Sequence, residues 1–267
     1  DAYMMSKMAA AIGKTRDARK YAELHENVKK AFNEKYVRAE DGVTVAPYVA
    51  MRWPGMPVNP NAPKNGELVP VDTQTSYALP LAYNLFDDAV KQKVVDNLVK
   101  NIEAHGNTLT TGFIGTPHLA VALSENGRDD VAYKLFEQTA YPSWLYPVLQ
   151  GATTMWERWN SYTIENGFGP VEMNSYNHYS YGAIAEWMFA HSLGIQRDED
   201  KPGYKHIILQ PKVGGTLGFA RGYFETPYGE VRSGWEKTAD GFIYRVTVPA
   251  NTTASLTLQA TAMDKVK

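Results

Sequence analysis

Residues 151–159 read Gly-Ala-Thr-Thr-Met-Trp-Glu-Arg-Trp and place one carboxylate, Glu157, and one guanidinium, Arg158, between two tryptophans. Indole rings are costly to leave in water, and a glutamate is seldom buried without a partner. A carboxylate among indole rings suits a sugar site, because the rings stack on the C–H faces of a pyranose while the carboxylate handles protons near the anomeric carbon. The alternative is a structural Glu157–Arg158 pair on a helix whose tryptophans are core. Residue chemistry alone leaves both interpretations open.

The composition is that of a globular protein with no reason to bind nucleic acid or membrane. The chain has 267 residues, 44% of them hydrophobic, which is enough for one large domain or two smaller ones. A net charge of -2 does not favour nucleic acid or an anionic membrane as partner. The absence of cysteine excludes disulfides, thiolate metal sites and a cysteine nucleophile. Aromatic residues make up 12% of the chain, which favours surfaces that stack on flat ligands or sugars.

Apolar residues recur at helical spacing, in pairs of segments, as far as about residue 193. The pattern predicts four helical hairpins, at residues 1–36, 73–105, 107–140 and 141–192. A complete barrel of six hairpins would need about twelve helices, and roughly eight fit in this stretch, so we expect an open arc whose edges leave apolar side chains uncovered.

The last predicted helix is capped by Asn174 or Ser175 and runs to about Leu193. His178 would then lie in its first turn, where the helix dipole favours the neutral ring that both donates and accepts hydrogen bonds. The alternative is a histidine satisfied by a nearby carbonyl.

Two other features have both a structural and a functional interpretation. Residues 37–72 contain a short strand at Val43 and then four prolines, which predict a long loop, and Trp53 in it either touches ligand or anchors the loop. Gly112 and Gly115 precede a predicted helix and let the backbone approach either a neighbouring helix or a ligand.

The hydrophobic period changes to two after about Arg197, where a charged linker ends the helical part. Segments 242–248 and 254–260 alternate, and Asp-Gly and Pro-Tyr-Gly turn signals separate the strands. We therefore predict a mainly α fold, a partial (α/α)6 toroid over residues 1–196, followed by a small antiparallel β-sandwich over residues 197–267. So small a β-domain is expected to lean on the helical part.

Five motifs in order resemble the bacterial α-L-rhamnosidases of glycoside hydrolase family 78, and the resemblance covers essentially the whole chain. Besides residues 151–159, they are Thr-Gln-Thr-Ser-Tyr at 73–77, Thr-Gly-Phe-Ile-Gly-Thr at 111–116, Pro-Ser-Trp at 142–144, and Asn-His-Tyr at 177–179 leading to Tyr-Gly at 181–182 and Glu-Trp at 186–187. No one of these motifs would suffice, but five in order make a chance match improbable.

The resemblance implies an (α/α)6 barrel with a C-terminal β-domain and inverting hydrolysis of terminal α-L-rhamnosides, without cofactor or metal. In such a mechanism an acid protonates the leaving oxygen while an opposed carboxylate, roughly 6.5–9.5 Å away, deprotonates the attacking water. Glu157 matches the general base, and Arg158 either lies beside it or faces away. The substrate-binding side chains that the resemblance implies are His178, Asn177, Phe113, Arg158 and the aromatic walls Trp144, Trp156 and Trp159.

The chain departs from the family in one respect: we find no counterpart of the acid-rich segment that carries the general acid. Asp17, Glu23 and Glu26 fall on an ordinary amphipathic helix. We therefore expect a preceding part of the same protein to supply the acid and this chain alone to be inactive. A periplasmic or extracellular place suits a polysaccharide-degrading enzyme, and the compartment stays open.

Two other functions stay open at this stage. Another (α/α)6 glycosidase or a lyase would use the same scaffold, and a lyase would use His178 with Tyr179 or Tyr181 to abstract a proton. A non-catalytic carbohydrate-binding or scaffold fragment would bind rhamnose without needing Glu157.

Overall fold

The computed structural model describes residues 1–50 and 60–260, which fall into two compact units, Asp1–Ala104 and His105–Lys267. Trp53, with the ligand or anchoring role expected of it, lies outside the described residues, as do residues 261–267 of the predicted β-domain. The division falls inside the helical part, and the predicted domain boundary at residue 196 stays a prediction.

The first unit contains two helical hairpins and a small sheet, in agreement with the first two predicted hairpins. The antiparallel strand order is β1-β2-β3, and the strand predicted at Val43 is confirmed. In chain order the elements are α1 (Ala2–Ala11), α2 (Thr15–Tyr36), β1 (Val37–Arg38), β2 (Val43–Pro47), β3 (Leu68–Pro70), α3 (Gln74–Ala82) and α4 (Asp88–Ala104).

Capping and apolar spacing explain the second hairpin. The Thr73 side chain accepts from the Ser76 amide at 3.1 Å while the Ser76 hydroxyl accepts from the Thr73 amide at 3.2 Å, so two amides at the start of α3 are satisfied. Pro80 lies inside α3, two residues before its end. The inward face of α4 carries Leu98 and Ile102, both 0% exposed. Burial of that face, rather than helix propensity, stabilises the hairpin.

The first hairpin buries much less apolar surface. Ala9 is the one buried residue of α1, and no residue of α2 is buried. Met4, Met8 and Ile12 are 60% exposed or more. These apolar side chains therefore lie uncovered on the first hairpin. The open arc of hairpins stays a prediction.

The helices of the second unit confirm the third predicted hairpin and correct the fourth. They are α5 (Thr116–Glu125), α6 (Asp129–Phe136), α7 (Leu145–Leu149) and α8 (Ile184–Trp187); a 3-10 helix (Ser180–Ala183) precedes α8 and a π-helical turn (Met188–Ser192) follows it. The last helical stretch therefore begins at Ser180, not at Asn174 or Ser175. Neither residue is a cap, because no helix begins after it. The Asn174 side-chain amide donates to the Ser161 carbonyl at 3.3 Å, and the Ser175 backbone amide donates to Glu157 at 2.8 Å.

The β-rich part of the second unit has one parallel pair, which corrects the fully antiparallel prediction. Strands β10, β9 and β8 form an antiparallel sheet, and β11, β7 and β6 form a second sheet in which β11 runs parallel to β7. Thr253–Leu256 reaches parallel orientation because it joins the free edge of β7 instead of pairing with β10, the strand before it. The strands are β4 (Tyr162–Thr163), β5 (Gly167–Phe168), β6 (Ile195–Arg197), β7 (His206–Leu209), β8 (Phe219–Thr226), β9 (Gly229–Thr238), β10 (Gly241–Thr247) and β11 (Thr253–Leu256).

The expected support of the β-strands by the helical part is observed at residues 192–194. The Trp235 indole donates to the Ser192 carbonyl at 2.8 Å, and the Ser233 hydroxyl donates to the Leu193 carbonyl at 2.6 Å. Residues of both sheets share one buried cluster, formed by Leu193, Ile195, Ile207, Leu209 and Val231. No helix in the described ranges is both long and apolar enough to cross a membrane.

We expect Gly194→Ala to destabilise the protein much more than Gly203→Ala. Both glycines have left-handed φ, +76° and +88°, which costs an alanine about 1–2 kcal/mol. A Cβ on Gly194 would also fall on the backbone of Gln210 and Pro211, whereas nothing lies within 4 Å of one on Gly203. Urea unfolding measures the loss of unfolding free energy in each variant. Equal losses in the two variants would show that the close backbone approach at Gly194 does not add to the cost of an alanine there.

His191 should make stability depend on pH below about 6.5. The ring is 5% exposed, and burial, with the Lys212 charge, lowers its pKa from 6.5 to about 4. The unfolded chain therefore takes up this proton first as pH falls, so the stabilisation is complete above pH 6.5 and is lost as pH falls towards 4. Between pH 7 and 5 the loss should be about 2 kcal/mol.

The comparison for this prediction is His191→Gln, which has no titrating ring. The difference in unfolding free energy between pH 7 and pH 5 should be smaller in the variant by that amount. An identical pH slope in the two proteins would contradict the assignment to His191.

Candidate active site

The residues around Glu157 are held by a second loop segment that runs alongside them. The His178 amide donates to the Met155 carbonyl at 2.8 Å, and the Glu157 amide donates to the Ser175 carbonyl at 2.9 Å. Thr154 adds a hydroxyl bond to the Tyr176 carbonyl. Segments 154–157 and 175–178 are therefore fixed by backbone bonds, although neither is a regular helix or strand.

The Glu157 carboxylate is half-buried and anchored by one oxygen. Its Oε2 accepts the Ser175 amide at 2.8 Å, and Oε1 has no hydrogen bond within the parts of the chain that the structure describes. Burial raises the pKa of the neighbouring Tyr181 phenol, and the charges of Tyr141 and Glu157 raise that pKa further. A carboxylate fixed by one oxygen with the other available has the arrangement that a proton acceptor needs.

Arg158 points to another part of the loop. Its Nη2 donates to the Glu172 carbonyl at 2.6 Å, and across residues 1–50 and 60–260 it has no carboxylate within ion-pair distance. The structural-pair interpretation is therefore wrong on both counts, because residues 151–159 are not helical and the two side chains are not paired. Arg158 instead borders a hollow of about 170 Å³ beside Asn160 and Asn174.

Four of the predicted site residues join one cluster of rings through Tyr181. Trp159 stacks on Tyr181 with centroids 3.8 Å apart and planes 11° apart, and Trp144 meets Trp159 edge-on at 6.0 Å. On the other side Phe113 lies 5.3 Å from Tyr181 and stacks on His178 at 4.9 Å. The Trp144 indole also donates to the Tyr181 carbonyl at 3.0 Å. We call these five residues the Tyr181 ring cluster.

Trp156 belongs to a different group of rings. It meets Tyr176 edge-on at 5.6 Å and Tyr162 at 6.4 Å, and Phe168 contacts both tyrosines. The three tryptophans are only 5–6% exposed, so most of their ring surface is already occupied by protein. Phe113, at 37% exposed, is the member of the predicted set with the most open aromatic surface.

His178 and Asn177 lie just before the 3-10 helix. The predicted place of His178 in the first turn of a helix is wrong, because the backbone at 175–178 pairs with the Glu157 segment instead. The His178 Nδ1 lies 3.4 Å from the Ser180 amide, where it accepts, so the ring is not satisfied by a carbonyl at that nitrogen. Asn177 is exposed, and its backbone N–H donates to the Ser175 hydroxyl at 3.3 Å.

Phe113 is presented by a short turn before α5. The Thr111 and Thr116 hydroxyls bond to each other at 2.6 Å, and the Thr116 amide donates to the Gly112 carbonyl at 3.0 Å. A Cβ on Gly112 would meet nothing within 4 Å, so no neighbouring helix requires a glycine there.

Two family models match the chain along its length. The model of the bacterial alpha-L-rhamnosidase 6 hairpin glycosidase domain matches residues 1–192, and that of the bacterial alpha-L-rhamnosidase C-terminal domain matches residues 194–267. The chain belongs to the bacterial α-L-rhamnosidase family. The resemblance found in the five sequence motifs is confirmed.

Individual α-L-rhamnosidases agree with this membership. That of Streptomyces avermitilis is 39% identical over 264 residues, which cover 99% of this chain and 23% of the relative. That of Formosa agariphila is 38% identical over 267 residues, 100% of this chain and 26% of the relative. The chain thus spans about a quarter of the length of these relatives.

Solved α-L-rhamnosidase structures show the same fold. The Streptomyces avermitilis enzyme, solved in complex with L-rhamnose, superposes with a TM-score of 0.80 over 96% of this chain and 22% of its own. The native Aspergillus terreus enzyme gives 0.79 at 31% identity, over 96% of this chain and 26% of its own. A helical hairpin domain followed by a small β-rich domain is therefore the architecture of this α-L-rhamnosidase chain.

Tyr181 is the member of the Tyr181 ring cluster that was absent from the predicted substrate-binding residues. It connects Trp159 to Phe113, yet its spacing along the chain gives no sign of this, because both partners come from distant segments. The lyase alternative did name Tyr181 as a proton-abstracting group. The raised pKa of its phenol disfavours the phenolate that such a step needs.

No group of three or more His, Cys, Asp or Glu among the residues placed by the structure could hold a metal ion.

The loop around Ser175 should loosen in Glu157→Ala and stay closed in Glu157→Gln. The amide oxygen of glutamine can still accept the Ser175 N–H, whereas alanine removes a hydrogen bond whose net value is about 0.5–1.5 kcal/mol. Hydrogen–deuterium exchange of a peptide covering residues 172–178 measures this. Faster exchange in both variants, or in neither, would contradict the anchoring role of Oε2.

Proposed function

We propose that the protein containing this chain hydrolyses terminal α-L-rhamnosides with inversion at the anomeric carbon, and that Glu157 is its general base. The observation that carries the proposal is the match to α-L-rhamnosidases along the whole chain, combined with a half-buried carboxylate anchored by one oxygen. The Streptomyces avermitilis relative was solved with L-rhamnose, which supports the same sugar here. No step is assigned to a metal or a cofactor.

In the proposed reaction Oε1 of Glu157 takes a proton from the attacking water. The Ser175 amide holds the other oxygen, so the carboxylate keeps one orientation while the proton is transferred. General base catalysis of this kind contributes about 10²–10⁴-fold to the rate. The water's oxygen attacks the anomeric carbon as the glycosidic bond breaks, and the base and acid lie roughly 6.5–9.5 Å apart in inverting enzymes.

The proposed sugar contacts come from the exposed end of the Tyr181 ring cluster. Phe113 offers an open ring face, and His178 stacked on it offers ring nitrogens to sugar hydroxyls. Asn177 adds an exposed amide next to His178. Trp144 and Trp159 support the cluster from behind, while Trp156 and Arg158 hold the loop that carries Glu157, at the rim of the proposed site.

The general acid is proposed to come from a part of the protein outside these 267 residues. This sequence has no counterpart of the acid-rich segment, and its relatives are about four times longer. The missing N-terminal part is thus the proposed partner of this chain, and a rhamnose-containing glycan or glycoside is the proposed substrate. The uncovered apolar face of α1, with Met4, Met8 and Ile12, is a surface such a part could cover.

Glu157→Gln in the full-length protein should lower kcat on p-nitrophenyl α-L-rhamnoside by about 10²–10⁴-fold. The loss follows because an amide cannot accept the proton of water, although it keeps the bond to Ser175. Residues 1–267 alone should show no turnover above background, since the acid is missing. Initial-rate kinetics on the three proteins measure both effects.

Glu172→Gln is the matched control, because it neutralises an exposed carboxylate near Glu157. The bond to Arg158 is kept in this variant, since Arg158 donates to the backbone carbonyl of residue 172 and not to its side chain. It should leave kcat within about twofold of wild type. Proton NMR at early times should show β-rhamnose as the first product. Near wild-type turnover in Glu157→Gln would remove Glu157 from the mechanism, and α-rhamnose as first product would exclude inversion.

A further inference from the structure

The outer face of the β8–β9–β10 sheet carries a hollow of about 690 Å³ far along the chain from Glu157. Residues Val231, Ser233 and Trp235 of the central strand point inward and are at most 2% exposed. The alternate residues of that strand therefore point outward, and one of them is Gly234. We call this outward surface the Gly234 face.

Register places Gly234 between two arginines. It pairs with Arg221 on β8 and with Arg245 on β10, so the three residues form one row across the sheet. Neighbouring strands lie about 4.8 Å apart, so the arginine backbones are roughly 10 Å apart with no side chain between them. A Cβ on Gly234 would lie 3.0 Å from the Cβ of Arg221. The absence of a side chain at Gly234 therefore leaves the space between the two arginines open.

The charges on this row are not compensated by close ion pairs. Arg245 has Glu236 at 3.6 Å, but both side chains are more than 60% exposed, and such pairs contribute little. Arg221 has no carboxylate within ion-pair distance anywhere in residues 1–50 and 60–260, and its guanidinium lies 5.1 Å from the ring centre of Phe219. Two guanidiniums aimed over one hollow are suited to a carboxylate, which accepts bidentate bonds from each.

Two exposed aromatic rings flank the arginine row. Phe219 and Tyr223 are 57% and 54% exposed and stand on the same face of β8, on either side of Arg221. Four residues along a strand separate the two rings by roughly 13 Å. A guanidinium lies over each ring, Arg221 over Phe219 at 5.1 Å and Arg232 over Tyr223 at 5.4 Å. The exposed remainder of each ring suits the C–H face of a sugar whose acidic group meets the arginines.

We propose that the Gly234 face binds an acidic oligosaccharide whose sugar units carry carboxylates, as an accessory site separate from the catalytic loops. This proposal goes beyond the proposed hydrolysis and does not depend on it, because no residue of the Gly234 face lies in segments 111–116 or 142–187. The arginines supply charge complementarity and the aromatic rings supply contact with the sugar rings.

The test is calorimetric binding of a galacturonic-acid tetrasaccharide to the full-length protein, with a neutral galactose tetrasaccharide as comparison. The acidic chain should bind, more weakly at higher salt because exposed charges are screened, and the neutral chain should bind at least tenfold more weakly. Arg221→Ala/Arg245→Ala should lose at least tenfold in affinity. Lysine at both positions keeps the charge but not the planar fork and should fall in between.

Arg197→Ala, which removes an exposed arginine from the other sheet, is the control and should bind like wild type. All variants should keep wild-type turnover of p-nitrophenyl α-L-rhamnoside and the same melting temperature, which separates this proposal from the fate of Glu157. No binding of the acidic chain, equal binding of the neutral chain, or unchanged affinity in the double alanine variant would each overturn it. A face covered by another domain of the same protein would give the first of these results.

Discussion

The stack of Trp159 on Tyr181 is the contact on which the geometry of the candidate site depends. Its centroid distance of 3.8 Å and angle of 11° bring the rings into face-to-face contact. Trp159 ends the Glu157 loop, and Tyr181 opens the last helical stretch, so the stack connects two segments that are far apart in sequence. Phe113 packs on the other side of Tyr181. The stack thus supports the Glu157 loop and the Phe113 turn together, beside a second link in which Phe113 stacks on His178 and the His178 amide donates to the Met155 carbonyl.

The helices of the first three hairpins could be predicted from the sequence, because apolar spacing and capping residues are local signals. The apolar spacing of α2 and α4 and the cap at Thr73 depend on residues within one or two turns. The predicted start of the last helix was wrong for the opposite reason. Residues 175–178 form backbone hydrogen bonds with residues 155–157, more than ten positions away, so no helix begins after Asn174 or Ser175 for them to cap. The same tertiary contacts keep residues 151–159 out of a helix, and they could not be read from spacing.

Long-range pairing also explains why the parallel partner of β11 could not be predicted. Period-two alternation identifies a strand and its faces but not its neighbour, so it cannot show that Thr253–Leu256 joins β7 in parallel. The link between helices and strands depends on similarly distant pairs. Tyr133 on α6 donates to the Lys212 carbonyl at 2.6 Å, and Trp235 on β9 reaches Ser192. The strands are therefore held in place by hydrogen bonds to the helical residues that precede them in the chain.

The place of Arg158 bears on what Glu157 can do. A guanidinium beside any carboxylate stabilises its charged form and makes it a poorer proton acceptor. Here the guanidinium binds the Glu172 carbonyl, and the donor that holds the carboxylate is a neutral backbone amide. Arg158 thus holds the loop through the Glu172 carbonyl, while the Ser175 amide fixes the direction of the Glu157 carboxylate. The two adjacent residues of opposite charge therefore bind different partners instead of each other.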